Sequence, residues 1–90
     1  MTKIRRQIRC YGAVQGVGFR YRACHAADVV GATGWVSNEE DGSVCMEIQG
    51  TEEQIDAVLL MIERGAYVRI EQMAVKTIPL VEGECFFRER

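Results

Sequence analysis

Hydrophobic spacing along this ninety-residue chain switches between a period of two and a period of about 3.6, and the order of the switches restricts the fold more than any other feature. From Lys3 to Tyr11, Ile4, Ile8 and Cys10 share one face while Lys3, Arg5, Gln7 and Arg9 share the other; Arg6 breaks the pattern. That is a half-buried strand. From Phe19 the spacing becomes helical, with Phe19, Ala23, Ala26, Ala27 and Val30 on one stripe and Gly31 as the stop. A second strand follows over residues 32–38, then an Asp41-Gly42 turn signal, then a third strand from Ser43 to Gln49 with Val44, Met46 and Ile48 on one face. Thr51 with Gln54 reads as a capping box opening a second helix, whose stripe is Ile55, Val58, Leu59 and Ile62 and whose end is Gly65. A fourth strand is expected from about Tyr67 to Thr77, with a phase slip between Ile70 and Met73 that marks a bulge or bend. Pro79 to Gly83 form a loop, and Cys85-Phe86-Phe87-Arg88 a short closing strand.

The resulting order is β-α-β-β-α-β with a strand-like tail. Right-handed crossovers and a hairpin between the second and third strands make this an α+β, ferredoxin-like split β-α-β sandwich: an antiparallel sheet with both helices on one face. Residues 1–90 are expected to form a single small domain.

Composition narrows the function. Eleven basic and thirteen acidic residues leave a charge of -2, which argues against a nucleic-acid partner, because phosphate contacts need a basic surplus. Arg5, Arg6 and Arg9 are the best candidates for a local basic patch, and a solvated strand face is the favoured reading for them. No apolar run is long enough to cross a bilayer, and MTKIRRQIR lacks the apolar stretch of a secretory signal. A cytoplasmic monomer with no membrane partner is expected. Cys10, Cys24, Cys45 and Cys85 contain no C-x-x-C pair, so neither zinc nor a thioredoxin motif is signalled; they read as reduced, mostly structural thiols.

The candidate site is the junction of the first strand and first helix. Gly12, Ala13, Val14, Gln15, Gly16, Val17 and Gly18 form a glycine-rich loop, and Arg20 follows in the first helical turn. Such a loop can aim several backbone N–H groups at one point, helped by the positive end of the helix dipole. An arginine there adds a charged fork that suits phosphate. No Gly-Lys-Ser/Thr follows, so this is not a nucleotide P-loop. On these residues alone a tight strand-to-helix turn with a solvated arginine fits equally well. Topology adds Asn38. In a split β-α-β unit the first two strands run parallel with the third between them, so their C-terminal ends share an edge roughly 9.5 Å apart. Asn38 ends the second strand there, and on its own it reads as a turn residue before Asp41-Gly42.

The stretch Tyr11-Gly12-Ala13-Val14-Gln15-Gly16-Val17-Gly18-Phe19-Arg20 resembles a signature of the acylphosphatases. Gly34-Trp35-Val36-Ser37-Asn38-Glu39-Glu40-Asp41-Gly42-Ser43-Val44 resembles that family's second one, G-W/Y-V-x-N-x-x-D-G-x-V, and the likeness covers essentially the whole chain. It implies metal-independent hydrolysis of the carboxyl-phosphate bond of small-molecule acyl phosphates, with no cofactor. It also implies that Arg20 binds the phosphoryl group and Asn38 positions the attacking water. The chain departs from the family at Arg64-Gly65-Ala66-Tyr67, where Gly-Pro is common, and in its tail, Cys85-Phe86-Phe87-Arg88-Glu89-Arg90, where aromatic-x-Ile-Arg-Tyr is common. Both departures are expected to lie away from the site. Glu39, beside the asparagine, is expected to repel anionic substrates.

Other residues carry less. His25 lies off the apolar stripe and reads as a surface residue; Glu39, Glu40 and Asp41 read as a solvated acidic turn rather than a metal site. Cys24 lacks a histidine partner for nucleophilic work, and Trp35 and Tyr11 read as packing residues. Two rivals remain. One is a non-catalytic anion-binding or interaction domain of the same fold; acylphosphatase-like domains also occur as N-terminal parts of a larger hydrogenase-maturation carbamoyltransferase. The end of this chain at Arg90 favours the free enzyme. An RNA-recognition module would need aromatic residues on the third strand, which has none.

Overall fold

The computed structural model describes residues 2–90. Strand β1 (Ile4–Ala13) leads through the glycine loop into helix α1 (Phe19–Val30), and β2 (Thr33–Asn38) and β3 (Val44–Gly50) form the hairpin. Helix α2 (Glu52–Glu63), β4 (Arg69–Ile78) and the short β5 (Phe87–Glu89) follow. The sheet order is β4-β1-β3-β2-β5. β3 pairs antiparallel with both β1 and β2, so those two strands run the same way and their C-terminal ends lie on one edge. The ferredoxin-like arrangement is as the periodicity implies.

The sheet is mixed rather than wholly antiparallel. β5 pairs parallel to β2, with Gly34, Trp35 and Val36 opposite Phe87, Arg88 and Glu89. The reason is geometric: the chain leaves β4 on one outer edge and reaches the opposite edge before turning into β5, so it arrives beside β2 from the same end.

The core is the face that alternation selects. Ile8 and Cys10 of β1, Val36 of β2 and Val44, Met46 and Ile48 of β3 are buried with Phe19, Ala23, Ala26 and Ala27 of α1 and Ile55, Val58 and Ile62 of α2. Small residues on α1 let it lie close to the sheet, and Gly31, at φ 82, caps it by donating to the Ala27 carbonyl. At the start of α2 both bonds of the capping box form: Thr51 Oγ1 accepts from the Gln54 N–H at 3.1 Å, and Gln54 Oε1 accepts from the Thr51 N–H at 2.8 Å. The departure at Arg64-Gly65-Ala66-Tyr67 is absorbed in a turn in which the Gly65 N–H donates to the Ile62 carbonyl and the Val68 N–H to the Gly65 carbonyl.

The expected irregularity in β4 is a bulge. Tyr11 pairs with Gln72 but Gly12 with Ile70, so Glu71 is the extra residue. Gly12 sits opposite at φ 125, where a Cβ would stand 2.4 Å from the Arg69 carbonyl oxygen. Only glycine fits that approach.

Arg5 corrects the expectation of a solvated basic face. It is 2% exposed. Its Nη1 donates to Glu84 Oε1 at 2.7 Å and to Gln49 Oε1 at 3.2 Å, and its Nε to Glu47 Oε1 at 3.1 Å. Burial works against the charge, but hydrogen bonds and charge from Glu84 and Glu47 outweigh it, and the guanidinium is held more firmly protonated than usual. Gln49 fastens the same crossing segment like a piece of strand: its Nε2 donates to the Val81 carbonyl at 3.0 Å and its Oε1 accepts from the Val81 N–H at 2.9 Å. Residues 79–86 are thus clamped across the open face of the sheet. Arg6, which breaks the alternation, points toward the helices and pairs with Glu52 at 3.3 Å. Among the described residues no helix is long and apolar enough to cross a membrane.

Candidate active site

The loop between β1 and α1 is shorter than its glycines suggest. Gly12 and Ala13 belong to β1, paired with Ile70 and Arg69 of β4, which leaves residues 14–18 as the loop proper. Its side chains and backbone divide the work. Val14 and Phe19 are buried in the core, 1% and 2% exposed, and Val17 packs against it. These three anchors fix the loop while Gly16 (φ 71) and Gly18 (φ 82) turn the backbone between them. Neither glycine has an atom within 4 Å of where a Cβ would stand, so it is the left-handed backbone that demands glycine here, not crowding. The space in front of both is open.

Gln15 ties this loop to the far strand. Its Nε2 donates to the carbonyls of Glu39 at 2.8 Å and Ser43 at 2.9 Å, the two ends of the β2–β3 turn. The loop and the residue at the end of β2 are therefore held as one unit. That turn is itself stapled by Asp41, whose Oδ1 accepts from the Ser43 N–H at 2.9 Å and hydroxyl at 2.6 Å. The Ser43 hydroxyl bond, then its N–H bond, hold the Asp41 carboxyl below the usual carboxylate range. The acidic turn is structural, and sequence reading missed that Gln15 reaches it.

The N-terminus of α1 differs from that of α2. Gly18 is its N-cap, no side chain caps it, and its first turn contains no acidic residue. Among the described residues, no backbone oxygen accepts from the N–H groups of residues 15–18. Free donors at a helix start, beside the positive end of the dipole, form an anion site.

Arg20, Asn38, Gly16, Gly18 and the walls Val14, Phe19 and Tyr21 surround one cavity of about 150 Å³. Three larger clefts, about 390 Å³ beside Tyr21, His25 and Met61, about 350 Å³ under the crossing segment and about 270 Å³ beside Arg9, Tyr11 and Lys76, do not bring the glycine loop together with Arg20 and Asn38. The small cavity is the candidate site on chemical grounds. It brings together the loop and both catalytic candidates, as the topology implies.

The tail, expected to lie away from the site, lines it. β5 carries Glu89 to the cavity wall, with its Oε1 4.0 Å from Arg20 Nε. The sequence hid this because β5 was expected as a closing strand of unknown partner; its parallel register on β2 is what delivers residue 89. The Glu39 carboxylate pairs with Arg9 at 3.6 Å, which partly offsets the repulsion expected of it.

The remaining candidates sit as their patterns imply. His25 is exposed and stacks on Tyr21 with ring centroids 6.3 Å apart. Trp35 is half-buried under the Arg90 guanidinium, 4.3 Å from its ring centre. All four cysteines are unpaired. Burial, with smaller contributions from Glu63 and Cys45, pushes the Cys10 thiol up to about 12; burial also raises Cys24 and Cys45. Thiols held protonated are poor nucleophiles.

Comparison with known proteins bears on the family and the fold. The Acylphosphatase family model matches residues 6–88. An acylphosphatase of Oceanobacillus iheyensis is 43% identical over 74 residues, which cover 80% of this chain and 81% of that one. The crystal structure of acylphosphatase from Bacillus subtilis superposes with a TM-score of 0.86 at 30% identity, over 97% of this chain and 98% of that chain. Full-length HypF, in a phosphate- and nucleotide-bound form, superposes with a TM-score of 0.86 at 27% identity, over 99% of this chain but 12% of that chain.

Proposed function

The chain belongs to the acylphosphatase family, and from that premise we propose how its own residues hydrolyse an acyl phosphate. The N–H groups of residues 14–18 and the Arg20 guanidinium hold the phosphoryl oxygens; Gly12 and Ala13 support that loop from β1. Asn38 holds a water in line with the leaving carboxylate. The water oxygen forms a bond to phosphorus as the bond from phosphorus to the acyl oxygen breaks. The electron pair of that bond leaves with the carboxylate, and the water's proton passes to a phosphoryl oxygen. A carboxylate departs readily, so positioning and charge stabilisation suffice without a strong base.

The observation that carries this reading is the convergence of Arg20, Asn38 and the uncapped helix start on one small cavity. The loop and Arg20 supply the positive field that a metal otherwise provides, so the reaction proceeds without one. The same reading takes residues 1–90 as one domain acting as a cytoplasmic monomer; the unpaired cysteines fit a reducing compartment. A second reading, a non-catalytic anion-binding or interaction domain, has its support in the match to a small part of HypF.

The test is hydrolysis of benzoyl phosphate by the purified protein. Turnover is expected, with inorganic phosphate raising the apparent KM and leaving kcat unchanged, and with EDTA without effect. Phosphate binding without turnover would establish the second reading. Activity abolished by EDTA and restored by magnesium would sink the metal-free mechanism.

A further inference from the structure

The carboxylate on the cavity wall is firmly placed by its backbone. Glu89 pairs with Val36 in the β2–β5 ladder, and the next N–H, of Arg90, donates to the Val36 carbonyl at 2.8 Å. The Arg90 side chain is held over Trp35. Glu89 therefore stands beside Arg20 by construction.

Its pairing with Arg20 is a weak one. The separation is 4.0 Å, through Nε, and the two side chains are 41% and 52% exposed. A phosphoryl group can displace such a water-facing contact. The negative charge does not leave with it. Once Arg20 turns its fork to phosphate, Glu89 remains in the wall of the same cavity. Glu39, another carboxylate near this edge, is already paired with Arg9.

We propose that Glu89 is a specificity-determining charge filter, favouring acyl phosphates with an uncharged acyl group over those whose acyl group carries a second anion. The inference rests on the phosphoryl-cradle reading above. The phosphoryl group is drawn in by N–H groups and Arg20 at short range, where the attraction exceeds the repulsion from Glu89. A carboxylate on the acyl part meets Glu89 without that compensation.

The experiment compares 4-methylbenzoyl phosphate with 4-carboxybenzoyl phosphate, alike in size and shape and different in charge, using wild type, Glu89→Gln and Glu89→Asp. Wild type should prefer the methyl compound. Glu89→Gln should raise kcat/KM for the carboxy compound roughly two- to fivefold more than for the methyl compound, the scale of an exposed ion pair. Glu89→Asp, which keeps the charge, should retain the wild-type preference. Raising salt toward 1 M, where screening acts within about 3 Å, should shrink the wild-type preference in the same direction. An unchanged preference in Glu89→Gln, with the methyl compound still turned over, overturns the filter and leaves the phosphoryl cradle standing. Failure of wild type to turn over either compound overturns both.

Discussion

Replacing Arg5 by methionine tests how the tail, and with it Glu89, is held. Methionine occupies much of the arginine stem but removes the bonds to Glu84, Glu47 and Gln49. It leaves two carboxylates facing a half-closed apolar space, Glu47 at 20% exposure and Glu84 at 17%. Breaking a fully buried pair costs about 3–5 kcal/mol; since both carboxylates keep an edge in water, about 2–3 kcal/mol is expected here. For a domain of this size that lowers the melting temperature by roughly 10–20 °C.

The assay is thermal unfolding followed by circular dichroism across a pH series. Burial alone would raise the Glu84 carboxyl; the Arg5 hydrogen bond, with smaller help from Thr33 and from the charges of Arg5 and Arg88, more than reverses this and holds it below the ordinary value. A carboxyl lowered in the folded state stabilises above its unfolded value, about 4.3 for glutamate, and loses that contribution as pH falls through its folded value. The gap between wild type and Arg5→Met should therefore be full at neutral pH and narrow below about pH 4. Melting within about 2 °C of wild type at neutral pH, or a gap that widens on acidification, would refute the clamp.

Gly18→Ala meets no neighbouring atom, so its expected cost, about 1–2 kcal/mol, comes from the left-handed backbone alone; urea melts should show Gly18→Asn recovering most of that stability. Asn38→Ala should lower kcat roughly a hundredfold while competitive inhibition by phosphate barely moves, because a water is misplaced and not the anion. A variant that loses phosphate affinity and keeps its rate would reverse the assignment. Alkylation of the native protein at pH 8, followed by mass spectrometry, should modify exposed Cys85 first and Cys10 last, the latter held protonated by burial.

Much of this was legible in the residues because it is local. The alternation of β1, the alanine stripe of α1, the Thr51–Gln54 capping box and the Gly18–Phe19 start of α1 depend on neighbours within a few positions. Even Asn38 could be placed, since topology alone puts the ends of β1 and β2 on one edge. What escaped was long-range. Arg5 alternates like a solvent-facing residue, and nothing near it announces that Glu84 will cross the sheet to cover it. Glu89 looked remote because the register of a three-residue parallel strand leaves no periodicity to read. The side-chain partners of Gln15 and Glu39, Ser43 and Arg9, escape for the same reason: they lie on other elements.

If the Arg20 guanidinium holds the transferring phosphoryl group, Arg20→Gln removes the clamp on which hydrolysis depends. The side chain is half-exposed and makes one long contact, so the variant should keep the wild-type circular dichroism spectrum. Steady-state hydrolysis of benzoyl phosphate should then show kcat reduced roughly 100- to 1000-fold, the scale of losing a preorganised charge-stabilising donor. A folded Arg20→Gln protein that hydrolyses benzoyl phosphate at a rate near wild type would mean that Arg20 does not hold the phosphoryl group.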